Sequence, residues 1–129
     1  GYDEAADTIT VGDGYVMGNV SWNDNILFSA GTRLFTGRYD NSTLRIPEGM
    51  SVDIPSGSSI SNGRSGNYTG TFINQGVLNV LDGGTIENYY FGGVFINEGV
   101  LNIQQGGKLY NTYSESEQQG GTIQNKGNI

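Results

Sequence analysis

The amino-acid sequence predicts an all-β protein: a right-handed parallel β-helix, or β-solenoid, of about five short coils with an irregular N-terminal coil and loops. Three observations predict this fold. A unit of sequence recurs at a nearly constant spacing, apolar residues within each unit alternate with polar ones, and glycine accounts for 22 of the 129 residues. Alternation with a period of two indicates strands, and a repeat of about 20 to 30 residues is typical of solenoids.

The repeat is clearest in residues 72–111, where one unit occurs twice. The segment FINQGVLNV at residues 72–80 recurs as FINEGVLNI at residues 95–103, a spacing typical of a solenoid repeat. GGTIEN at residues 83–88 returns as GGKLYN at residues 106–111, and a third copy, GGTIQNKGNI, begins at residue 120. The shared template is two apolar residues in alternate positions, then a glycine, then a further apolar residue. It also fits three earlier segments, at Val52, Ile54, Gly57 and Ile60; at Ile26, Phe28, Gly31 and Leu34; and at Ile9, Val11, Gly14 and Met17.

The alternation predicts which side chains point into the solenoid. The position of Phe72 and Phe95 recurs as Ile123, followed by the polar Gln124, so this position is inward and its neighbour is outward. Counting on by twos places two rows of asparagines inside, namely Asn74, Asn97 and Asn125, and Asn62, Asn88 and Asn111. An unpaired buried amide is costly, so we expect each row to form a ladder of amide hydrogen bonds. For the first row, which lies two residues before a glycine, a role in turns is an equally good interpretation.

Glycines are predicted to form the corners between strands, because tight corners need φ values that other residues avoid. These corner positions are Gly31, Gly57, Gly83 and Gly106. Residues 18–25, 35–44, 61–70 and 112–121 are polar, interrupt the repeat and are predicted to be loops. The sequence predicts one β-solenoid domain over residues 1–129, with an irregular N-terminal cap over residues 1–25 and repeat coils over residues 26–129.

The repeated units resemble those of a known class of proteins. FINQGVLNV…GGTIEN and FINEGVLNI…GGKLYN are similar to the repeats of right-handed parallel β-helix surface proteins, of the adhesin and autotransporter-passenger type. The resemblance lies in asparagine, glycine and aliphatic residues that recur in register. It covers residues 26–129, and more weakly residues 9–25. It implies a parallel β-helix with an extracellular or cell-surface location.

The composition excludes several kinds of chemistry. Histidine and cysteine are absent, so Ser–His, Cys–His and imidazole or thiolate metal sites are excluded. The aspartates are scattered, one to a coil or loop and without a pair, so we expect no catalytic residues, no metal site, no cofactor and no enzymatic activity. The net charge of −7 argues against nucleic acid or an anionic membrane as a partner. No run of residues is apolar enough for insertion into a membrane.

The ends of a coil stack predict self-association, because each end presents unpaired strand edges. The sequence shows no C-terminal cap of the kind that covers many solenoids, and its last residues align with the middle of a coil. The leading hypothesis is therefore a structural protein whose partner is another copy of itself, added head to tail into a filament or surface layer. The predicted contact residues are Thr8, Ile9, Thr10 and Val11 at one end and Ile123, Asn125, Asn128 and Ile129 at the other.

The alternative hypothesis is an adhesin module of a longer surface protein, which binds surface glycans or a host receptor. The aromatic residues predicted to contact a ligand or a neighbouring subunit are Trp22, Tyr89, Tyr90, Tyr110 and Tyr113. Stacking between coils is the other interpretation of the tyrosines, and packing against the end of the core or under a loop is the other interpretation of Trp22. Three asparagines in predicted loops match the N-glycosylation pattern: Asn19, Asn41 and Asn67.

Overall fold

The protein is built from short β-strands. The computed structural model describes residues 2–3, 8–11, 14–23, 25–29, 31–63, 68–89, 92–114 and 119–129, and these residues form strands, turns and connecting segments but no helix. No described segment is therefore a helix of the length and apolarity that could cross a membrane. The all-β prediction is confirmed.

The strands follow one another in sets of three, and each set makes one coil. The first coil is preceded by β1 (Tyr2–Asp3) and consists of β2 (Thr8–Val11), β3 (Gly14–Tyr15) and β4 (Asn19–Ser21). The second consists of β5 (Asn25–Phe28), β6 (Arg33–Thr36) and β7 (Ser42–Ile46), and the third of β8 (Ser51–Ile54), β9 (Ser59–Asn62) and β10 (Gly70–Asn74). The fourth consists of β11 (Val77–Val80), β12 (Thr85–Asn88) and β13 (Gly93–Asn97). The fifth contains β14 (Val100–Ile103) and β15 (Lys108–Asn111), then a hairpin of β16 (Tyr113–Ser114) and β17 (Gln119–Gly120), and finally β18 (Thr122–Asn125).

Equivalent strands of successive coils pair in parallel and build three sheets, which form the faces of the solenoid. The first sheet has the order β1-β2-β5-β8-β11-β14, in which β1 is antiparallel to β2. The second has the order β3-β6-β9-β12-β15 and the third the order β4-β7-β10-β13-β18. The second, third and fourth coils have a parallel neighbour on both sides. The solenoid therefore has about 3 turns that are enclosed on both sides, whereas the sequence predicts about five coils. The first and fifth coils form its two ends. The parallel β-solenoid is confirmed, and its handedness stays a prediction.

The register between coils follows the repeat read from the sequence over most of the chain. Leu78 pairs with Val52 on one side and with Leu101 on the other, which are equivalent positions of the template. The same agreement extends through β5, where Ile26 pairs with Val52. Because these positions alternate with outward ones, their side chains form continuous rows inside the solenoid.

In the first coil the predicted register is wrong beyond Val11. Gly14 pairs with Leu34 instead of lying opposite Gly31, and the next pair is Tyr15 with Phe35. The connection between β2 and β3 is therefore shorter than the template assumes. In consequence Val16 is buried, whereas Met17, which the template places inside, is exposed.

The core consists of the inward side chains of the three sheets. Phe72 and Phe95 are fully buried and stack with their ring centroids 5.2 Å apart. Around them lie further fully buried apolar residues, among them Leu44, Ile46, Val52, Ile54, Ile60, Leu78, Val80 and Ile86. Burial of such side chains from three faces gives this narrow solenoid its main stabilisation.

The corners contain glycine in the backbone conformation that was predicted. Gly31, Gly57, Gly83 and Gly106 have φ angles of 73°, 78°, 80° and 87°, a region that residues with a Cβ atom rarely adopt. The predicted loops at residues 18–25 and 35–44 are shorter than expected, because strands of the second and third sheets extend into them. β4 lies within residues 18–25, and β6 and β7 leave only residues 37–41 of the predicted loop 35–44 outside strands.

Candidate functional site: the C-terminal end of the solenoid

Two rows of asparagines run through the solenoid as hydrogen-bonded ladders. In the first row, the Asn74 Nδ2 atom donates to Asn97 Oδ1 at 2.9 Å, and Asn97 Nδ2 donates to Asn125 Oδ1 at 3.0 Å. At two members of this row Oδ1 also accepts from the backbone two residues on, with Gly76 N 3.2 Å from Asn74 Oδ1 and Gly127 N 3.3 Å from Asn125 Oδ1. The ladder interpretation of the row is therefore confirmed, whereas a role in turns through positive φ angles stays a prediction.

The second row continues the same pattern on another face. Asn62 Nδ2 donates to Asn88 Oδ1 at 2.8 Å, and Asn88 Nδ2 donates to Asn111 Oδ1 at 3.0 Å. The hydroxyl of Thr36 donates to Asn62 Oδ1 and begins the row. In both rows each side chain donates toward the C-terminal end, so the ladders have a direction.

The fifth coil exposes positions whose equivalents in the fourth coil are buried. Ile103 occupies the row of Val80, which is fully buried, yet it is 38% exposed. Asn125 follows the fully buried Asn97 in its ladder but is itself exposed, and the same holds for Asn111 after Asn88. We call these inward positions of the fifth coil, together with the strand edges of β14, β15 and β18, the end surface.

The end surface combines apolar contact area with unused hydrogen-bonding groups. Among the residues that the structure describes, none accepts a hydrogen bond from Asn125 Nδ2. Part of the β14 edge is covered, because Asn128 forms a parallel bridge with Val100 and its carbonyl accepts from Leu101 N at 2.8 Å. Ile129 is 61% exposed beside it. Ile123, another predicted contact, is half-buried and packs against the core. The predicted contact residues of this end thus lie on or beside the end surface.

The N-terminal end is better covered. On the outer edge of β2, Tyr2 pairs with Ile9 and Asp3 with Thr8, so β1 occupies part of the edge predicted to receive another copy. Of Thr8–Val11 the structure describes only the backbone. Directly after β4, Trp22 packs edge-on against Phe28 with ring centroids 6.1 Å apart and contacts the core. The interpretation of Trp22 as a residue that covers the end of the core is the one supported by this contact.

The other predicted aromatic contacts do not form a cluster in the described residues. Tyr89 is half-buried and its hydroxyl donates to Glu87. Tyr110 points outward from β15 and is 45% exposed. Tyr90 and the side chain of Tyr113 lie outside the described residues. A shared ligand surface of these tyrosines stays a prediction.

The structure instead shows an aromatic cluster that the sequence analysis missed. Tyr15 stacks on Phe35 with ring centroids 5.6 Å apart, and Tyr39 meets Tyr15 edge-on at 4.8 Å. The Arg33 guanidinium lies 5.4 Å from the centroid of Phe35, and that of Arg38 lies 5.8 Å from the centroid of Tyr39. The correct register would have predicted the contact between Tyr15 and Phe35, but the wrong register of the first coil hid it.

The predicted glycosylation positions differ in their surroundings. Asn19 is exposed in β4, and Asn41 is exposed just before β7. Asn41 Oδ1 accepts a hydrogen bond from Thr69 N at 2.9 Å. Asn67 lies outside the described residues. Glycosylation of all three stays a prediction.

Some acidic side chains, among them Asp40 and Asp53, accept hydrogen bonds that connect neighbouring coils. Asp53 Oδ1 accepts from Asn79 Nδ2 at 2.8 Å in an outward ladder that continues to Asn102. Within the described residues no three acidic side chains come together as a metal-binding group.

Comparison with known protein families, curated proteins and solved structures gives no match.

Proposed function

We propose that this chain is a non-enzymatic structural protein of an extracellular or cell surface, which assembles end to end through the end surface. The observation that supports the proposal is the exposure of Ile103, Asn111 and Asn125 at positions whose equivalents one coil earlier are fully buried. Exposed apolar area and unpaired strand edges are stabilised when another strand layer covers them. A second copy of the chain offers such a layer in its first coil.

The two ends match when they are placed in the register of the coils. In the second sheet, β15 would meet β3 of the next copy, which places Tyr110 beside Tyr15, at outward positions that are 45% and 50% exposed. In the third sheet, β18 would meet β4, which places the half-buried Ile123 beside the half-buried Val20. Contacts of this kind repeat from copy to copy, so the assembly is an open filament.

In the first sheet, two short segments cover the strand edges that would have to pair in this contact. β1 of one copy and residues 128–129 of the other both lie at the joint. Deleting residues 1–3 is therefore expected to lower the protein concentration at which assembly begins, because it uncovers the edge of β2. Light scattering over a concentration series measures this onset. An onset that is unchanged or higher in the deletion variant would contradict the role assigned to β1.

The main test changes the end surface at one inward position. Ile103→Asp is expected to abolish assembly, because a second coil would bury an unpaired carboxylate. Sedimentation velocity and negative-stain electron microscopy over a concentration series measure the assembly. Fibres or concentration-dependent oligomers are expected for the unmodified chain and a monomer for the variant.

The matched control places the same charge one residue away. Asn102→Asp lies on the outward side of β14, in the ladder that already contains Asp53, so assembly is expected to persist. An unmodified chain that stays monomeric at every concentration would refute end-to-end assembly. Equal assembly of the Ile103→Asp variant would refute the end surface as the contact.

A further inference from the structure

The aromatic cluster lies between two strands and a loop whose position is fixed. Tyr15 belongs to β3, Arg33 and Phe35 belong to β6, and Arg38 and Tyr39 belong to the loop 37–41. Two hydrogen bonds hold this loop, one near each of its ends. Gly37 N donates to Ser42 Oγ at 2.6 Å, and Gly18 N donates to Asp40 Oδ2 at 2.8 Å. The side chains of the cluster therefore lie on two strands and on a loop that hydrogen bonds hold in place.

Two clefts adjoin the stacked rings. One of about 330 Å³ is bounded by Gly14, Tyr15, Arg33 and Phe35. The other, of about 380 Å³, is bounded by Tyr15, Arg33, Phe35 and Arg38. Their volumes fall at the lower end of the range for small-ligand sites, about 300 to 1,000 Å³. Each cleft therefore has room for one small cyclic group and not for a large ligand.

The chemistry of the lining selects the ligand. Tyr15 lines both clefts and is 50% exposed, so its ring offers apolar surface and a hydroxyl group to a molecule there. Tyr39, which is 53% exposed, packs edge-on against Tyr15. The C–H bonds on one face of a sugar ring pack against such an aromatic surface. Arg38 adds guanidinium donors beside the rings, and a carboxylate is the partner that matches their geometry. The protein as a whole carries a charge of −7, so this pairing of arginines with aromatic rings is a local exception to its acidic character.

We propose that this cluster is a binding site for a carboxylate-bearing sugar, such as a uronate unit of an acidic polysaccharide. Aromatic surface and a cation in one small cleft fit a ring that carries its own carboxylate. A neutral sugar would leave the guanidinium of Arg38 without an anionic partner, and an acidic peptide would lack the sugar ring whose C–H face packs on Tyr15. The site is formed within one copy of the chain, but Tyr15 would also lie beside Tyr110 of a neighbouring copy at the proposed joint, so binding is tested on the monomer.

The test measures binding of defined oligosaccharides to the monomeric protein by isothermal titration calorimetry. Tetragalacturonate is the probe, with maltotetraose as the neutral sugar and tetraglutamate as the acidic peptide. We expect saturable binding of tetragalacturonate, at least about tenfold weaker binding of the other two, and loss of affinity at high salt. Arg38→Gln and Tyr15→Ala are each expected to weaken binding of tetragalacturonate by about tenfold, the effect of losing one charge-assisted hydrogen bond or one ring contact.

The control variant removes an arginine from another face. Arg45→Gln changes an outward residue of β7, in the third sheet, and is expected to leave the affinity unchanged. Thermal unfolding of each variant checks that the fold persists, and Tyr15→Phe, which keeps the stacked ring, provides a second variant at that position. Absence of saturable binding, equal weakening by Arg45→Gln, or equally tight binding of tetraglutamate would overturn the proposal.

Discussion

Asn88→Ala is expected to lower the free energy of unfolding by about 3 kcal/mol, because it removes the central member of a buried ladder. The two hydrogens of Asn88 Nδ2 are shared among three acceptors, each at 3.0 Å: Asn111 Oδ1 and the carbonyl oxygens of Gly93 and Thr122. Asn88 Oδ1 accepts from Asn62 Nδ2 at 2.8 Å. Alanine leaves these groups without that partner in a site that is fully buried. Urea denaturation at a concentration where the chain is monomeric measures the change, and the melting temperature should fall by about 10 °C.

The matched control for this variant lies in the outward ladder. Asn102 Nδ2 donates to Asn79 Oδ1 at 2.8 Å, but Asn102 is exposed and water replaces the lost bond. Asn102→Ala should therefore change the free energy of unfolding by less than about 0.5 kcal/mol. Similar losses for Asn88→Ala and Asn102→Ala would show that the buried ladder does not contribute as the geometry indicates.

The inward ladders were predictable because they follow from periodicity alone. Once Ile123 and Gln124 identify the inward side of one strand, alternation assigns every other residue of that strand, and Asn125 is placed inside without knowledge of the structure. The same holds for Asn62 and Asn88 in the second sheet. A buried amide then requires a partner, and the equivalent residue of the next coil is the nearest candidate.

The first coil could not be predicted in the same way, because its connections have different lengths. A template read from residues 72–111 assumes a fixed spacing around its glycine, whereas the structure pairs Gly14 with Leu34. That displacement moves Tyr15 beside Phe35 and creates the aromatic cluster. Likewise, nothing in the alternation shows that β1 turns back against β2, since two residues are too short for a periodic pattern.

The spacing of asparagine and glycine in the repeat has a steric cause as well as a hydrogen-bonding one. A Cβ atom on Gly99 would lie 2.2 Å from the carbonyl oxygen of Gly76, and one on Gly76 would lie 2.2 Å from that of Met50. Gly127 stands in the same relation to Gly99, at 2.1 Å. At Gly76, Gly99 and Gly127 the chain passes too close to the preceding coil for any side chain, so the glycine two residues after the inward asparagine is a packing requirement at these three positions.

Gly99→Ala is therefore expected to destabilise the protein by about 3 kcal/mol or more, at the upper end of the cost of overpacking. The added methyl group would meet the backbone of Gln75 as well as that of Gly76, and neither can rotate away as a side chain could. Separating the coils would also weaken the bond from Val100 N to Gly76 O, which is 2.9 Å long. Urea denaturation gives the loss in the free energy of unfolding.

Gly31→Ala separates this steric effect from the cost of backbone conformation. Gly31 has a φ angle of 73° and a Cβ atom there would meet nothing within 4 Å, so only conformational strain of about 1 kcal/mol is expected. The ratio of the two losses is the informative quantity. If Gly99→Ala costs no more than Gly31→Ala, the coils can separate at little expense, and the close approach at Gly76 and Gly99 does not explain why glycine follows the asparagine of the repeat.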